Sequence, residues 1–181
     1  MGFLDLVRAR RSVRAYLDEP VDRTLIEECL EAARLSPSAC NSQPWRFIVL
    51  DDPGQKNAAC DAAFTGLYSA TGRFVKQAPV FVVIVTERSK YISRVGGFLK
   101  KVQYSLIDIG IAAEHFCLAA TERGLGTCML GWFNDRALKK YLKLPKSAGI
   151  DLVITVGHPK NKTARAKDRK SLDEIRTYND V

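Results

Sequence analysis

Histidine is nearly missing from this 181-residue chain: His115 and His158 are the only two, far apart and without acidic partners at metal-ligand spacing. A protein-held metal is therefore not expected. The five cysteines (Cys29, Cys40, Cys60, Cys117 and Cys128) are an odd number with no C-x-x-C pair, and most fall within apolar patterns. They read as reduced, buried thiols rather than disulfides or zinc ligands. The most apolar run, Ala78 to Val85, falls well short of the roughly 20 residues a membrane helix needs, so no membrane association is expected. The opening MGFLDLVRARR places its charge after its apolar residues, the reverse of a secretory signal, which makes the cytoplasm the expected compartment. In that setting the sequon Asn161-Lys162-Thr163 is a chance tripeptide. Repeats, low-complexity tracts and linkers are absent as well.

What is present is ordinary in bulk and uneven in charge. With 46% hydrophobic and 27% charged residues, the chain suits one soluble domain spanning residues 1–181, or half of a dimer with a shared core. Its net charge of +8 is concentrated. Arg8, Arg10, Arg11 and Arg14 crowd the stretch VRARRSVRAY, and Lys160, Lys162, Arg165, Lys167, Arg169 and Lys170 crowd the tail against Asp168. Two basic segments at opposite ends of one domain can converge on a single anionic group. A nucleic-acid-binding module is the rival from another class, but no DNA-binding motif appears and the basic residues lack the interleaved aromatics of a single-strand platform.

Periodicity predicts a short helix over Phe3 to Val7 and a second from Asp22 or Thr24 to about Leu35, with Thr24 to Glu27 fitting a capping box. Leu25, Ile26, Cys29, Leu30 and Ala33 form the buried face of that second helix. Trp45 to Leu50 reads as a strand, Gln55 to about Leu67 as a weaker helix, and Pro79 to Thr86 as a central strand covered on both faces. The longest periodic segment, Phe98 to Arg123, is the expected central helix; its buried stripe is Val102, Leu106, Ile109, Ala113, Cys117 and Ala120, and its small residues Gly110, Ala112, Ala113, Ala119 and Ala120 permit close approach of another helix. A strand at Thr127 to Leu130, a small helix from about Asp135 to Leu142 and a strand at Asp151 to Val156 complete the core, and the basic remainder is expected to be extended. Helices on both sides of a small sheet follow from this order, but the strand order does not. Gly124-Leu125-Gly126 lies between helix and strand, the reverse of a dinucleotide fingerprint.

Four segments in this order resemble the nitroreductase family of flavin enzymes: Arg10-Arg11-Ser12-Val13-Arg14, the turn Ser36-Pro37-Ser38-Ala39-Cys40-Asn41-Ser42-Gln43-Pro44-Trp45, Gly124-Leu125-Gly126-Thr127-Cys128, and Gly157-His158-Pro159 followed by Lys167-Asp168-Arg169. The resemblance covers nearly the whole chain. It implies an α+β fold, a three-layer α/β/α sandwich with a small, mixed but largely antiparallel sheet, in an intertwined homodimer whose tail, about 160–181, extends onto the partner. It implies flavin mononucleotide (FMN) as cofactor, with NADH or NADPH as electron donor.

Under that resemblance Arg10, Ser12, Lys167 and Arg169 hold the phosphate and Arg11 contributes along the ribityl chain; forked guanidinium donors and a lysine point charge suit a dianion. Arg14 stabilises the negative charge a reduced flavin gathers, and Arg8 is left to solvent. Pro37, Ser38, Ala39, Asn41 and Gln43 face the flavin of the neighbouring subunit, and Leu130, Gly131 and Trp132 form the turn opposite flavin N5. Many relatives carry a second glycine where this chain has Trp132. The implied activity is hydride transfer from NAD(P)H through flavin to a small electrophile (nitroaromatic, quinone or activated alkene) by a ping-pong cycle with no side-chain acid or base. A specialised reductase, such as a dehalogenase or flavin-consuming enzyme, is the alternative within the family; the segments Phe64 to Gln77 and Glu87 to Gly97 offer little material for the lid such enzymes carry. Lys90, Arg94 and Lys100 are candidates for meeting a nicotinamide 2′-phosphate.

Overall fold

The run of β-branched residues at Val80–Thr86 is buried along its full length, because helices cover both faces of the strand it forms. In this computed structural model, residues 2–87, 102–161 and 166–179 are described. Lys90, Arg94, Lys100, Lys162 and Arg165, and the expected start of the central helix at Phe98, lie outside them.

The element order is α1 (Phe3–Ala9), α2 (Arg23–Arg34), β1 (Trp45–Leu50), α3 (Pro53–Ala63), α4 (Ser69–Gln77), β2 (Val80–Thr86), α5 (Tyr104–Glu122), β3 (Gly126–Leu130), α6 (Asp135–Tyr141), β4 (Gly149–Gly157) and α7 (Leu172–Ile175). The four strands form one antiparallel sheet in the order β1-β2-β4-β3. An isolated parallel bridge, outside these strand pairings, joins Ser12 to Thr127 on β3.

Alternation along β2 divides the core into two layers. Val80, Val82 and Ile84, with Ile154 and Val156 of β4, meet α2 and α5 through Ile26, Cys29, Ile109, Ala113 and Phe116. Phe81, Val83 and Val85 turn to the other face, where α3, α4 and α6 bring Ala59, Ala63, Val75 and Leu138. The small residues Ala112, Ala113 and Ala120 of α5 are spent within the chain, on this packing against α2.

Several boundaries differ from the sequence reading. Asp22 caps α2 by accepting from Thr24 N at 2.9 Å, so its carboxylate does what the Thr24 hydroxyl was expected to do. The weaker helix starts at Pro53, behind an Asp52 cap, and stops at Ala63, and a further helix, α4, follows it. Gly72 concealed α4 from pattern reading; its missing Cβ would lie 3.0 Å from Phe64 Cβ. The tail contains one helical turn, α7, closed by a Ser171–Glu174 capping box. Val102 and Leu106, expected in the buried stripe of α5, are exposed.

Candidate cofactor site

The opening segment can cross the sheet because two glycines leave room. Val13 N donates to the Thr127 carbonyl at 2.8 Å and Tyr16 bridges Pro159. A Cβ on Gly126 would stand 2.7 Å from Val13 Cγ2, and one on Gly157 would stand 2.5 Å from Pro79 Cδ and 2.9 Å from Tyr16. Tyr16 locks the crossing: its buried hydroxyl donates to the Val13 carbonyl at 2.7 Å and lies 2.7 Å from Thr155 Oγ1. Burial holds this phenol well above its ordinary pKa, partly offset by the Thr155 contact. The glycine motifs thus act by accommodating the arginine segment.

That crossing delivers Arg10 to α5, where its Nε donates to Glu114 Oε1 at 3.0 Å. From the other end of the chain, Lys167 Nζ donates to the Val7 carbonyl at 2.5 Å, satisfying an end of α1, and Arg169 Nη1 donates to the Asp168 carbonyl at 2.6 Å. These cations sense one another. Desolvation, then the Arg10 and Arg169 guanidiniums, push the Lys167 ammonium below the ordinary lysine range, with Glu114 opposing. Three positive groups converging against one carboxylate form a donor set suited to a dianionic phosphate. Arg11 donates to the Asn161 carbonyl. Ser12 and Arg14 are exposed beside β3; burial pushes the Cys128 thiol up, and Arg14 and the Ser12 hydroxyl counter that rise.

The second group of predicted residues sits on a strained turn. Cys40, Asn41 and Gln43 have φ of 51°, 51° and 44°, a region that costs non-glycine residues of order 1–3 kcal/mol each unless surroundings impose it. Helix α5 imposes it. The buried Asp108 carboxylate accepts from Ala39 N at 3.1 Å and from Ser42 Oγ at 3.4 Å, and Ser36 Oγ lies 2.8 Å from His115 Nδ1. Within the turn, Gln43 N donates to Ser38 Oγ and Gln43 Nε2 donates to Asn41 Oδ1, both at 2.9 Å. Pro37 is exposed, as is Cys40. Asp108 and His115 were missed by sequence reading; the available signal was a carboxylate on a helix face otherwise apolar.

The third group, Leu130, Gly131 and Trp132, closes the far end of β3 from the Ser12 bridge, with Gly131 and Trp132 exposed. The structure therefore brings Arg10, Lys167 and Arg169 together, sets Ser12 and Arg14 along β3, and ties the Ser36 turn to the same helix that meets Arg10.

A cleft of about 750 Å³ lies elsewhere, lined by Tyr16, Pro20, Arg23, Lys56, Lys76 and Pro79 among others. Its cations are already satisfied: Arg23 pairs with Asp51, Lys76 with Asp61, and Lys56 Nζ donates to the carbonyls of Lys76 and Ala78 at 2.8 and 3.0 Å. Size alone does not make it the cofactor site. Among the described residues there is no cluster of potential metal ligands, and no helix is long and apolar enough to cross a membrane.

Comparison with known proteins agrees with the geometry. The profile of the nitroreductase family matches residues 7–158. A putative NADH dehydrogenase/NAD(P)H nitroreductase of Archaeoglobus fulgidus is 31% identical over 180 residues, covering 95% of each chain. The iodotyrosine deiodinase of Thermotoga neapolitana is 25% identical, covering 86% of this chain and 87% of its own. A solved FMN-dependent nitroreductase of Clostridium difficile superposes with a TM-score of 0.80 at 26% identity, over 99% of this chain and 100% of the other. Profile, whole-length similarity and shared architecture have one meaning: this chain belongs to the nitroreductase family.

Proposed function

We propose that the protein is an NAD(P)H-dependent FMN oxidoreductase that reduces a small electrophile, a nitroaromatic, quinone or activated alkene, and works as a homodimer in the cytoplasm. The observation that carries this reading is the convergence of Arg10, Lys167 and Arg169 from opposite ends of one chain, with Arg10 held at Glu114 of α5 and Lys167 at the Val7 carbonyl of α1; desolvation first, and then the two guanidiniums, lower the Lys167 pKa there. The names printed for the Archaeoglobus and Clostridium relatives support the same chemistry.

Arg10, Lys167 and Arg169 neutralise the FMN phosphate, with Ser12 as a hydroxyl donor and Arg11 along the ribityl chain. Arg14 places a fixed cation beside the isoalloxazine edge. Pro37, Ser38, Ala39, Asn41 and Gln43 serve the flavin of the partner subunit, and the backbone at Leu130–Trp132 faces N5. FMN held there would supply hydride chemistry between NAD(P)H and the acceptor. Donor and acceptor occupy the same face in turn, and the protein's part is to orient them, exclude water and bias charge. The exposed apolar residues Phe3 and Leu4 of α1, Leu106 and Ile107 of α5, and Leu172, Ile175 and Tyr178 around α7 provide the material for the subunit interface.

The test is direct. Freshly purified protein should be yellow and release FMN on acid treatment, identified by chromatography at one per chain, and should bleach anaerobically with NADH or NADPH. Recovery of FAD, or of no flavin, refutes the reading. The deiodinase relative favours reductive dehalogenation as a second reading; iodide release from 3-iodotyrosine by the reduced enzyme, unmatched by nitroaromatic or quinone reduction, would establish it.

A further inference from the structure

Trp132 stands two residues beyond β3 with 67% of its surface in water, and its indole lies against the Tyr68 ring, centroids 5.1 Å apart and planes at 50°. Core packing does not demand this placement. The adjacent Phe133 is buried and meets Phe64 at 6.5 Å between centroids, and Asn134 N donates to the Ala63 carbonyl at 2.8 Å, so the backbone beneath Trp132 is fixed without its side chain. Tyr68 ends a short 3-10 turn, Gly66–Tyr68, pinned by Tyr68 N donating to the Thr65 carbonyl at 3.1 Å. Leu67, in that turn, is 91% exposed. Two loops, each anchored at its own base, thus present an aromatic pair and a leucine to solvent beside Gly131.

A contiguous apolar patch left in water, here Trp132 against Tyr68 with Leu67 in the same turn, marks a contact surface for something else. Its position supplies the chemistry: the turn that the proposed function sets opposite flavin N5 is the turn that carries the indole. We infer that Trp132, propped by Tyr68, is a specificity-determining residue that gives the acceptor a second aromatic surface, so that the enzyme favours planar aromatic acceptors over non-aromatic ones such as activated alkenes. This rests on the flavin reading above. Trp132 touches the acceptor; Tyr68 is a positioning residue that fixes the indole.

An equilibrium titration separates this from catalysis. The oxidised, FMN-loaded protein is titrated with 2-naphthoate and with decahydro-2-naphthoate, following the flavin absorbance; the two carry the same charge and differ in aromaticity. An aromatic contact of this kind corresponds to about a two- to tenfold preference. Trp132→Ala should lower the ratio of the two affinities by that factor, because both ligands lose apolar contact but only naphthoate also loses the ring–ring interaction. Trp132→Leu, which keeps apolar bulk without a ring, should fall likewise and decides the matter if the alanine variant does not retain flavin. Trp132→Phe and Tyr68→Phe should keep most of the preference, whereas Tyr68→Ala should lose part of it. An unchanged ratio in flavin-loaded Trp132→Ala or Trp132→Leu overturns the inference, as does an unchanged ratio accompanied by weaker dimerisation, which would assign the rings to the subunit interface. Native protein without flavin sinks the functional reading itself, and shows in the spectrum before any ligand is added.

Discussion

Arg169 carries a prediction that separates ligand binding from mere surface charge. Its guanidinium makes one backbone hydrogen bond to Asp168 while helping to depress the Lys167 pKa, so Arg169→Ala should leave the fold intact and cost FMN about 1.5–3 kcal/mol, roughly one to two decades in affinity. Fluorescence titration of the apoprotein with FMN measures it. Because the Lys167 ammonium titrates below the ordinary lysine value of 10.5, FMN affinity should fall as pH rises into that alkaline window, and Lys167→Met should remove the step. A different alkaline effect belongs to the buried thiols. Desolvation first pushes Cys29, Cys60 and Cys117 up to about 12. Each therefore holds its proton more tightly folded than unfolded. Their stabilising contribution is complete below the ordinary thiol value of 9.0 and is lost as pH climbs toward 12, so Tm should drop across that range, less steeply in Cys117→Ala. Residues of this kind differed in legibility. The arginines and lysines stood out because like charges cluster in sequence, whereas Asp108 passed for one polar position on a helix, its role depending on a turn more than sixty residues away.

Elements were legible where one periodicity dominated. The β2 run declared a doubly covered strand because all of its residues but Thr86 are apolar, and α2 showed its face through Ile26, Cys29 and Ala33. Helix α4 was not legible, since Gly72 weakens a helix on propensity and earns its place through contact with Phe64, a tertiary reason. The same distinction explains the exposure of Leu106 on α5, where helical spacing cannot say whether an apolar stripe faces its own core or another surface. Among the connections, the strap from Arg10 to Tyr16 is the most exacting. Gly126→Ala would drive a Cβ into the stiff, β-branched Val13 at 2.7 Å, and should destabilise the protein by about 1–3 kcal/mol and loosen FMN together. Urea unfolding and flavin retention after dialysis check the two effects; a variant with native stability would show that the strap has slack.

At the scale of the whole molecule, a single protomer leaves Phe3, Leu4, Ile107, Leu172, Ile175 and Tyr178 exposed. Obligate interfaces bury upwards of about 2,000 Å² and seldom leave a stable folded monomer. The proposed dimer should therefore persist to nanomolar concentration in sedimentation velocity, and an Ile107→Asp variant should dissociate and lose flavin in parallel; a monomer that keeps FMN and reductase activity would refute the shared site. The strap also has a consequence for how the chain folds. Tyr16 finds Thr155 across 139 positions and Lys167 finds Val7 across 160. Closing such long loops is slow. The proposed phosphate cradle should thus be among the last parts of the molecule to assemble. Its tail side, where Lys167 and Arg169 are held by exposed hydrogen bonds, should also be the first to open in native-state hydrogen exchange, giving the cofactor a route in and out while the sheet beneath stays folded.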